Sequence, residues 1–396
     1  MDETSQHLKT VAARKRVVST IALLNGIWAI FGVALVLLIG LEESLTVYYD
    51  RADKKELQDA AESAVNSGVY ANSSWAREYV RELFEYDAAV WRTWEPYTYR
   101  GVPEYQGKYI NVAKDGSRRT WNSDKSNDSG IANQKVFFFG GSTLFGYGSR
   151  DDFTIPSLVS KKLAESGVSV TVTNYAVDAD ASTPSMIRFV SKLRERNVPN
   201  LVVFYGGLVD AIAACLDGKP GVPLGSSYFE KAFSVKEVTA RIKPENLALM
   251  RLVTGRQKLS GCSKELGGLS DGAVSVYLEN VRFIQEISKV FSFKTLFYLE
   301  PQLSDKIHRT RYEESKFLES KTALPGLNEL YSLTRSKLAQ RESGVLGEAV
   351  VDDLRGIFSD VAGPIYVDDG HYGEDGNERI SREIAADILA LYPPAK

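Results

Sequence analysis

The chain is short of cysteine and histidine and has no excess of positive charge, and each shortage removes a class of function. Cys215 and Cys262 are the two cysteines, and they form no CxxC pair, so a cysteine-built metal site is not supported. With 48 Lys and Arg against 51 Asp and Glu, the net charge is −3. No basic stripe interleaved with aromatics occurs either, so nucleic acid is not an expected partner. No lysine follows the glycines of "QKVFFFGGSTLFGYG", which rules out the phosphate-cradling GxxxxGK[ST], and the stretch does not spell the dinucleotide fingerprint GxGxxG. No cofactor and no metal are expected. No internal repeat or low-complexity tract stands out.

What is present is one long uncharged run. Val17 to Leu41, "VVSTIALLNGIWAIFGVALVLLIGL", suffices to cross a hydrocarbon core of roughly 30 Å as a helix. Lys9, Arg14, Lys15 and Arg16 precede it, and Glu42, Glu43 and Asp50 follow. The positive-inside bias therefore puts the N-terminus in the cytoplasm and the rest in the periplasm or outside the cell. The run exceeds a usual signal-peptide core and no A-x-A site closes it, which favours an uncleaved anchor. On the outer side the two cysteines either form one disulfide or remain free thiols.

The expected division is a cytoplasmic tail over 1–16, a transmembrane helix over 17–41, a helical stalk or linker over 42–89 with a break near Asn72, and a folded domain over 90–396. Residues 90–133 are dense in Tyr, Trp, Gly and Arg and read as a packed irregular cap or a sugar platform. Val136–Phe139 reads as a buried strand. The runs "VSVTVTNYA", "NLVVFYGG", "FKTLFYLEP" and "GPIYVDD" alternate with helical patterns after it, implying a parallel sheet with helices on both faces. An insertion at about 216–271 is long enough to cover a site.

Ser142 falls in the first strand-to-helix connection, where α/β sheets place ligands, and it is either a nucleophile or part of a plain tight turn. A serine nucleophile needs a base within hydrogen-bond reach. Of the three histidines, His7 precedes the membrane run and His308 sits in the charged "SDKIHRTRYEE". His371, in "YVDDGHYGEDGN", follows an apolar run with carboxylates close by. Asp368, three residues upstream, can reach the imidazole Nδ1 and leave Nε2 facing the serine. Taken alone, D-x-x-H also describes a solvated acidic loop.

In order, "FFFGGST", "TNYAVDADAS", "FYGGLVD" and "VDDGHYGEDGN" resemble the four blocks of the SGNH (GDSL-type) hydrolases, and more closely the membrane-anchored bacterial branch that opens with GGST. The resemblance covers roughly residues 90 to 392. It implies a flavodoxin-like three-layer α/β/α sandwich with a parallel sheet, and transfer or hydrolysis of acyl esters. It further implies Ser142 as nucleophile, His371 as general base and Asp368 as the group orienting it. Of the family's three oxyanion donors, the first falls on the Ser142 N–H. The second falls on Ala176, where alanine keeps the N–H but costs about 1 kcal/mol if a positive φ is required. The third is absent: Val209 occupies the expected asparagine position, and the carboxylate of Asp210 cannot donate.

The expectation is thus a membrane-anchored SGNH-like serine esterase or acyltransferase with an incomplete oxyanion hole. Its substrate would be O-acyl, chiefly O-acetyl, groups of an extracellular or envelope carbohydrate, with other polysaccharide-modification proteins as candidate partners. The alternative is a catalytically impaired SGNH-fold module that binds or assembles in polysaccharide modification or export.

Overall fold

The structure is a computed structural model and describes residues 3–71, 73–90, 93–123, 133–233, 261–262, 265–345 and 351–394. The chain divides into two units, 1–59 with 235–257, and 60–234 with 258–396. The described part of the first unit is helical, within α1 (Glu3–Val65). Its segment Arg14–Ala52 is long and apolar enough to cross a membrane. Leu23, Trp28, Ile30, Phe31 and Leu37 lie exposed on it, as side chains facing lipid would. The helix passes Leu41 without a break and ends at Val65, while Asn72 lies outside the described residues.

In the second unit, α2 (Ala76–Val90) buries Tyr79, Leu83, Tyr86 and Val90, a stripe at i, i+4, i+7 and i+11. This corrects the expectation of a stalk up to residue 89. An apolar face of that width has to be covered, and the folded domain begins with α2 rather than at residue 90. Two short hairpins follow, β1 (Trp94–Glu95) with β2 (Tyr99–Arg100), and β3 (Tyr105–Gln106) with β4 (Asn111–Val112). They form the cap.

The sheet is parallel throughout. Its strands are β5 (Gln134–Gly140), β6 (Val170–Asn174), β7 (Leu201–Gly206), β8 (Lys294–Leu299) and β9 (Val351–Asp353), in the order β6-β5-β7-β8-β9. That 2-1-3-4-5 order is the flavodoxin-like arrangement. Along β5 the side chains alternate: Val136 and Phe138 enter one core, Phe137 and Phe139 the other. Between the strands run α3 (Ser142–Phe145), α4 (Ile155–Glu165), α5 (Ser182–Arg194), α6 (Leu208–Asp217), α7 (Ser226–Phe233), α8 (Leu266–Phe291), α9 (Arg311–Ala323) and α10 (Leu327–Val345), with α11 (Glu374–Leu391) after the last strand. On one face Ile155, Val159 and Leu163 of α4 meet Ile380, Ile384 and Ile388 of α11. Each such buried side chain contributes about 2 kcal/mol. On the other face Phe189 of α5, Val274, Tyr277 and Val281 of α8, and Leu338 of α10 complete the third layer.

One expected strand is corrected. "GPIYVDD" does not join the sheet; the fifth strand is Val351–Asp353. Residues 365–373 instead fold back on themselves, with Tyr366 bridged to Tyr372 and the Gly373 N–H on the Ile365 carbonyl. Of the insertion expected at 216–271, residues 234–260 and 263–264 lie outside the described residues. Cys215 in α6 is joined to Cys262 by a disulfide.

Candidate active site

Two connections at the carboxyl edge of the sheet bring the site together. In the first, β5 ends at Gly140, where a Cβ would sit 2.0 Å from the Tyr205 carbonyl, so only glycine lets β5 and β7 stay paired there. The chain then turns through Gly141 and starts the four-residue helix α3 with Ser142 at its first position. Gly146, at φ +105°, ends it. Arg118 of the cap fixes the loop that follows. Its fully buried guanidinium donates to Asp151 Oδ1 at 3.0 Å, to the Phe145 and Gly146 carbonyls at 2.9 Å each, and to the Ser149 carbonyl at 2.9 Å.

The second connection carries the histidine. Asp368 Oδ1 accepts the N–H of Gly370 at 2.9 Å and of His371 at 2.7 Å, closing a turn that leaves Oδ2 free for the imidazole. Glu313, ion-paired with Lys306, anchors the approach to this turn by accepting the Ile365 and Tyr366 N–H at 2.9 and 3.1 Å. Burial works to raise the Glu313 carboxyl, but Lys306 and these backbone donors hold it low.

The structure brings Ser142, His371 and Asp368 together. His371 Nδ1 lies 2.7 Å from Asp368 Oδ2, and His371 Nε2 lies 2.7 Å from Ser142 Oγ. The Tyr147 ring stacks on the imidazole at 5.1 Å, and its hydroxyl donates to Asp87 at 2.5 Å. Burial disfavours the imidazolium, but Asp368, Asp178 and Asp369 outweigh it and push His371 up to about 9. Asp368 is held below the usual range, since His371 and the two backbone N–H groups overcome the effect of burial. Asp178 is pushed up to about 6 by burial, opposed by Arg100 at 3.1 Å. This arrangement can pass a proton from a serine hydroxyl to an imidazole whose charged form is strongly favoured. His308 is exposed on the surface.

The expected oxyanion donors differ in their surroundings. Among the described residues, the Ser142 N–H makes no hydrogen bond to the protein. Ala176 is corrected: it is fully buried, its N–H donates to Asn174 Oδ1 at 3.1 Å, and its φ is not positive. The left-handed residue of this loop is Ala179, at φ +54°, and among the described residues its N–H is also unpaired within the protein. Alanine gives no sequence signal for such a conformation. Val209 lies beside the nucleophile turn, its Cγ2 3.4 Å from where a Cβ on Gly141 would be. Asp210 faces elsewhere and accepts the N–H and hydroxyl of Ser182 at the start of α5. Burial pushes its carboxyl up to about 6. Among the described residues no group of three His, Cys, Asp or Glu side chains is placed to hold a metal ion.

No protein-family model and no curated protein matches the chain. Among solved structures it is similar to Est24, a carbohydrate acetylesterase from Sinorhizobium meliloti, at 12% identity and TM-score 0.38 over 65% of this chain and 100% of that one. It is also similar to the acetyl xylan esterase AlAXEase, at 15% identity and TM-score 0.36 over 64% of this chain and 99% of that one. A third is a member of the lipolytic protein G-D-S-L family from Veillonella parvula DSM 2008, at 11% identity and TM-score 0.37 over 65% and 99%. The likeness to the SGNH hydrolases is carried by the chain itself, in its 2-1-3-4-5 strand order and in a serine at the first crossover that meets a D-x-x-H turn before the last helix.

Proposed function

We propose that the protein is a membrane-anchored serine esterase or acyltransferase acting on O-acyl groups of an envelope carbohydrate, with its folded domain on the periplasmic or outer side. The observation that carries the reading is Ser142 Oγ at 2.7 Å from His371 Nε2, with Asp368 on the opposite ring nitrogen. Ser142 Oγ attacks the ester carbonyl as its proton passes to Nε2. The carbon–oxygen bond to the alcohol breaks as that proton moves to the leaving alkoxide. Water or a second hydroxyl, deprotonated by His371, then attacks the acyl carbon, the bond to Ser142 Oγ breaks, and the proton returns from Nε2 to Oγ. Asp368 holds the tautomer and balances the imidazolium charge. The N–H groups of Ser142 and Ala179 are the oxyanion donors in this reading. The carbohydrate part is supported by the resemblance and by two exposed aromatic side chains of the β1–β2 hairpin, Trp94 and Tyr97.

The test is turnover of a p-nitrophenyl acyl ester by the full chain in detergent. Ser142→Ala and His371→Ala should each abolish it, and the double variant should lose no more than either alone, because the pair acts as a unit. Turnover that survives Ser142→Ala defeats the mechanism. One observation favours a second reading, a glycan-binding module without turnover: the isopropyl group of Val209 beside the nucleophile turn. It predicts an inactive parent that binds glycan saturably.

A further inference from the structure

The esterase mechanism does not use Glu300, which ends the otherwise apolar β8 edge with a carboxyl group 2% exposed. Its Oε2 accepts the Thr143 hydroxyl at 2.5 Å, and its Oε1 accepts the Leu208 N–H at 3.2 Å. Nearby, the Tyr372 hydroxyl lies 2.5 Å from the Tyr205 hydroxyl. The Thr143 hydroxyl and the Leu208 N–H thus occupy both carboxylate oxygens. Glu300 is itself held by its backbone, its N–H on the Gly206 carbonyl at 3.0 Å and its carbonyl accepting the Tyr331 hydroxyl at 3.0 Å.

The two donors to this carboxylate share one property. Thr143 follows Ser142, and Leu208 precedes Val209. Two connections from two different crossovers therefore meet, one residue away from the site, on a single carboxylate. A packed apolar side chain could fill this space without the cost of burying a charge-bearing group. What it could not supply is direction, a fixed angle and distance between the turns.

We propose that Glu300 is a positioning residue for the acyl-transfer reaction, holding the serine turn and the turn before Val209 in one geometry. The inference rests on the esterase reading for its kinetic consequence, while its geometric content stands apart from turnover. A displacement of about 1 Å between reacting groups costs up to about 100-fold in rate.

The experiment uses the full chain in detergent micelles with Thr143→Val, Glu300→Ala and Glu300→Gln, p-nitrophenyl acetate as substrate, and NMR titration of the His371 imidazole. Thr143→Val and Glu300→Ala should lower kcat about 10- to 100-fold with KM changed less than about twofold. Glu300→Gln, which still accepts the Leu208 N–H and still reaches Thr143, should recover most of that loss. The His371 resonances and titration midpoint should move in Thr143→Val and Glu300→Ala. A merely structural role predicts lowered unfolding midpoints with kcat and the His371 titration as in the parent, and that result overturns the proposal. If the parent turns over no ester, the esterase reading fails, and the His371 titration alone decides: displacement supports the positioning role and an unchanged curve refutes it. If Glu300→Ala does not fold, Thr143→Val, which removes one hydroxyl at nearly constant shape, carries the decision.

Discussion

Raising the pH should switch the proposed esterase on, because His371 is pushed up to about 9 and its charged form is favoured at neutrality. With His371 pushed up to about 9, two units above pH 7, only about 1% of the resting sites hold the neutral imidazole that can accept the Ser142 proton. The rate of Ser142 acylation should therefore climb about tenfold per unit from pH 6 to 8 and level off above about 9. A suitable assay is the second-order rate of inactivation of the full chain by a fluorophosphonate, with Ser142→Ala as blank. Asp178 offers an internal control. It pairs with Arg100 and is one of the carboxylates that raise His371, so Asp178→Asn should move the rising limb to lower pH and accelerate the reaction at pH 7 while leaving the alkaline plateau in place. The same coupling has a stability counterpart. The raised histidine contributes fully below its ordinary 6.5 and loses its contribution as pH rises through about 9; the lowered Asp368 contributes above 3.8 and loses it as the medium acidifies. The pair thus stabilises the fold most between those ordinary values. A rate that is flat from pH 6.5 to 8.5, or a limb centred on 6.5, would refute the electrostatic account of the site.

Val209→Asn should raise kcat on p-nitrophenyl acetate by as much as about 100-fold with little change in KM, since an added donor bonds only the developing oxyanion. An amide that instead stays unpaired at this buried position would cost about 1–3 kcal/mol of stability, visible in urea unfolding with kcat unchanged. Cys215→Ser opens a disulfide spanning 47 residues, for which chain entropy sets a loss of about 4 kcal/mol; a urea midpoint equal to the parent's would contradict that. Protease added outside intact spheroplasts should digest the domain that follows the membrane helix and spare an N-terminal tag, and full protection would reverse the proposed orientation.

Sequence reading went furthest where residue type and order both carried chemistry. A serine after two glycines at a strand end, and a histidine that follows an apolar run with a carboxylate three residues before it, came together in space across 229 residues. Four of the five strands were legible as apolar runs. The fifth was not, because Val351–Asp353 is three residues long with two carboxylates, and the more apolar "GPIYVDD" competed for its place. The left-handed conformation of Ala179 was not legible, because its side chain does not announce it. Glu300 left a faint trace, a carboxylate ending a buried strand at the edge where ligands bind, but one residue without a spaced partner says nothing about what it holds. Tyr147 and Asp178 entered the site through tertiary packing that no local pattern encodes.

The burial of Arg118 has a kinetic consequence. Four carbonyl and carboxylate oxygens around one guanidinium tie the cap to the loop behind the nucleophile, and Glu82 adds the N–H groups of Lys108, Tyr109 and Ile110 to the same rim. A rim bound this way resists swinging. In the proposed reaction, ester and acceptor would therefore meet a doorway of constant shape, with discrimination falling on what fits at first encounter and the departure of product waiting on no opening motion of the cap.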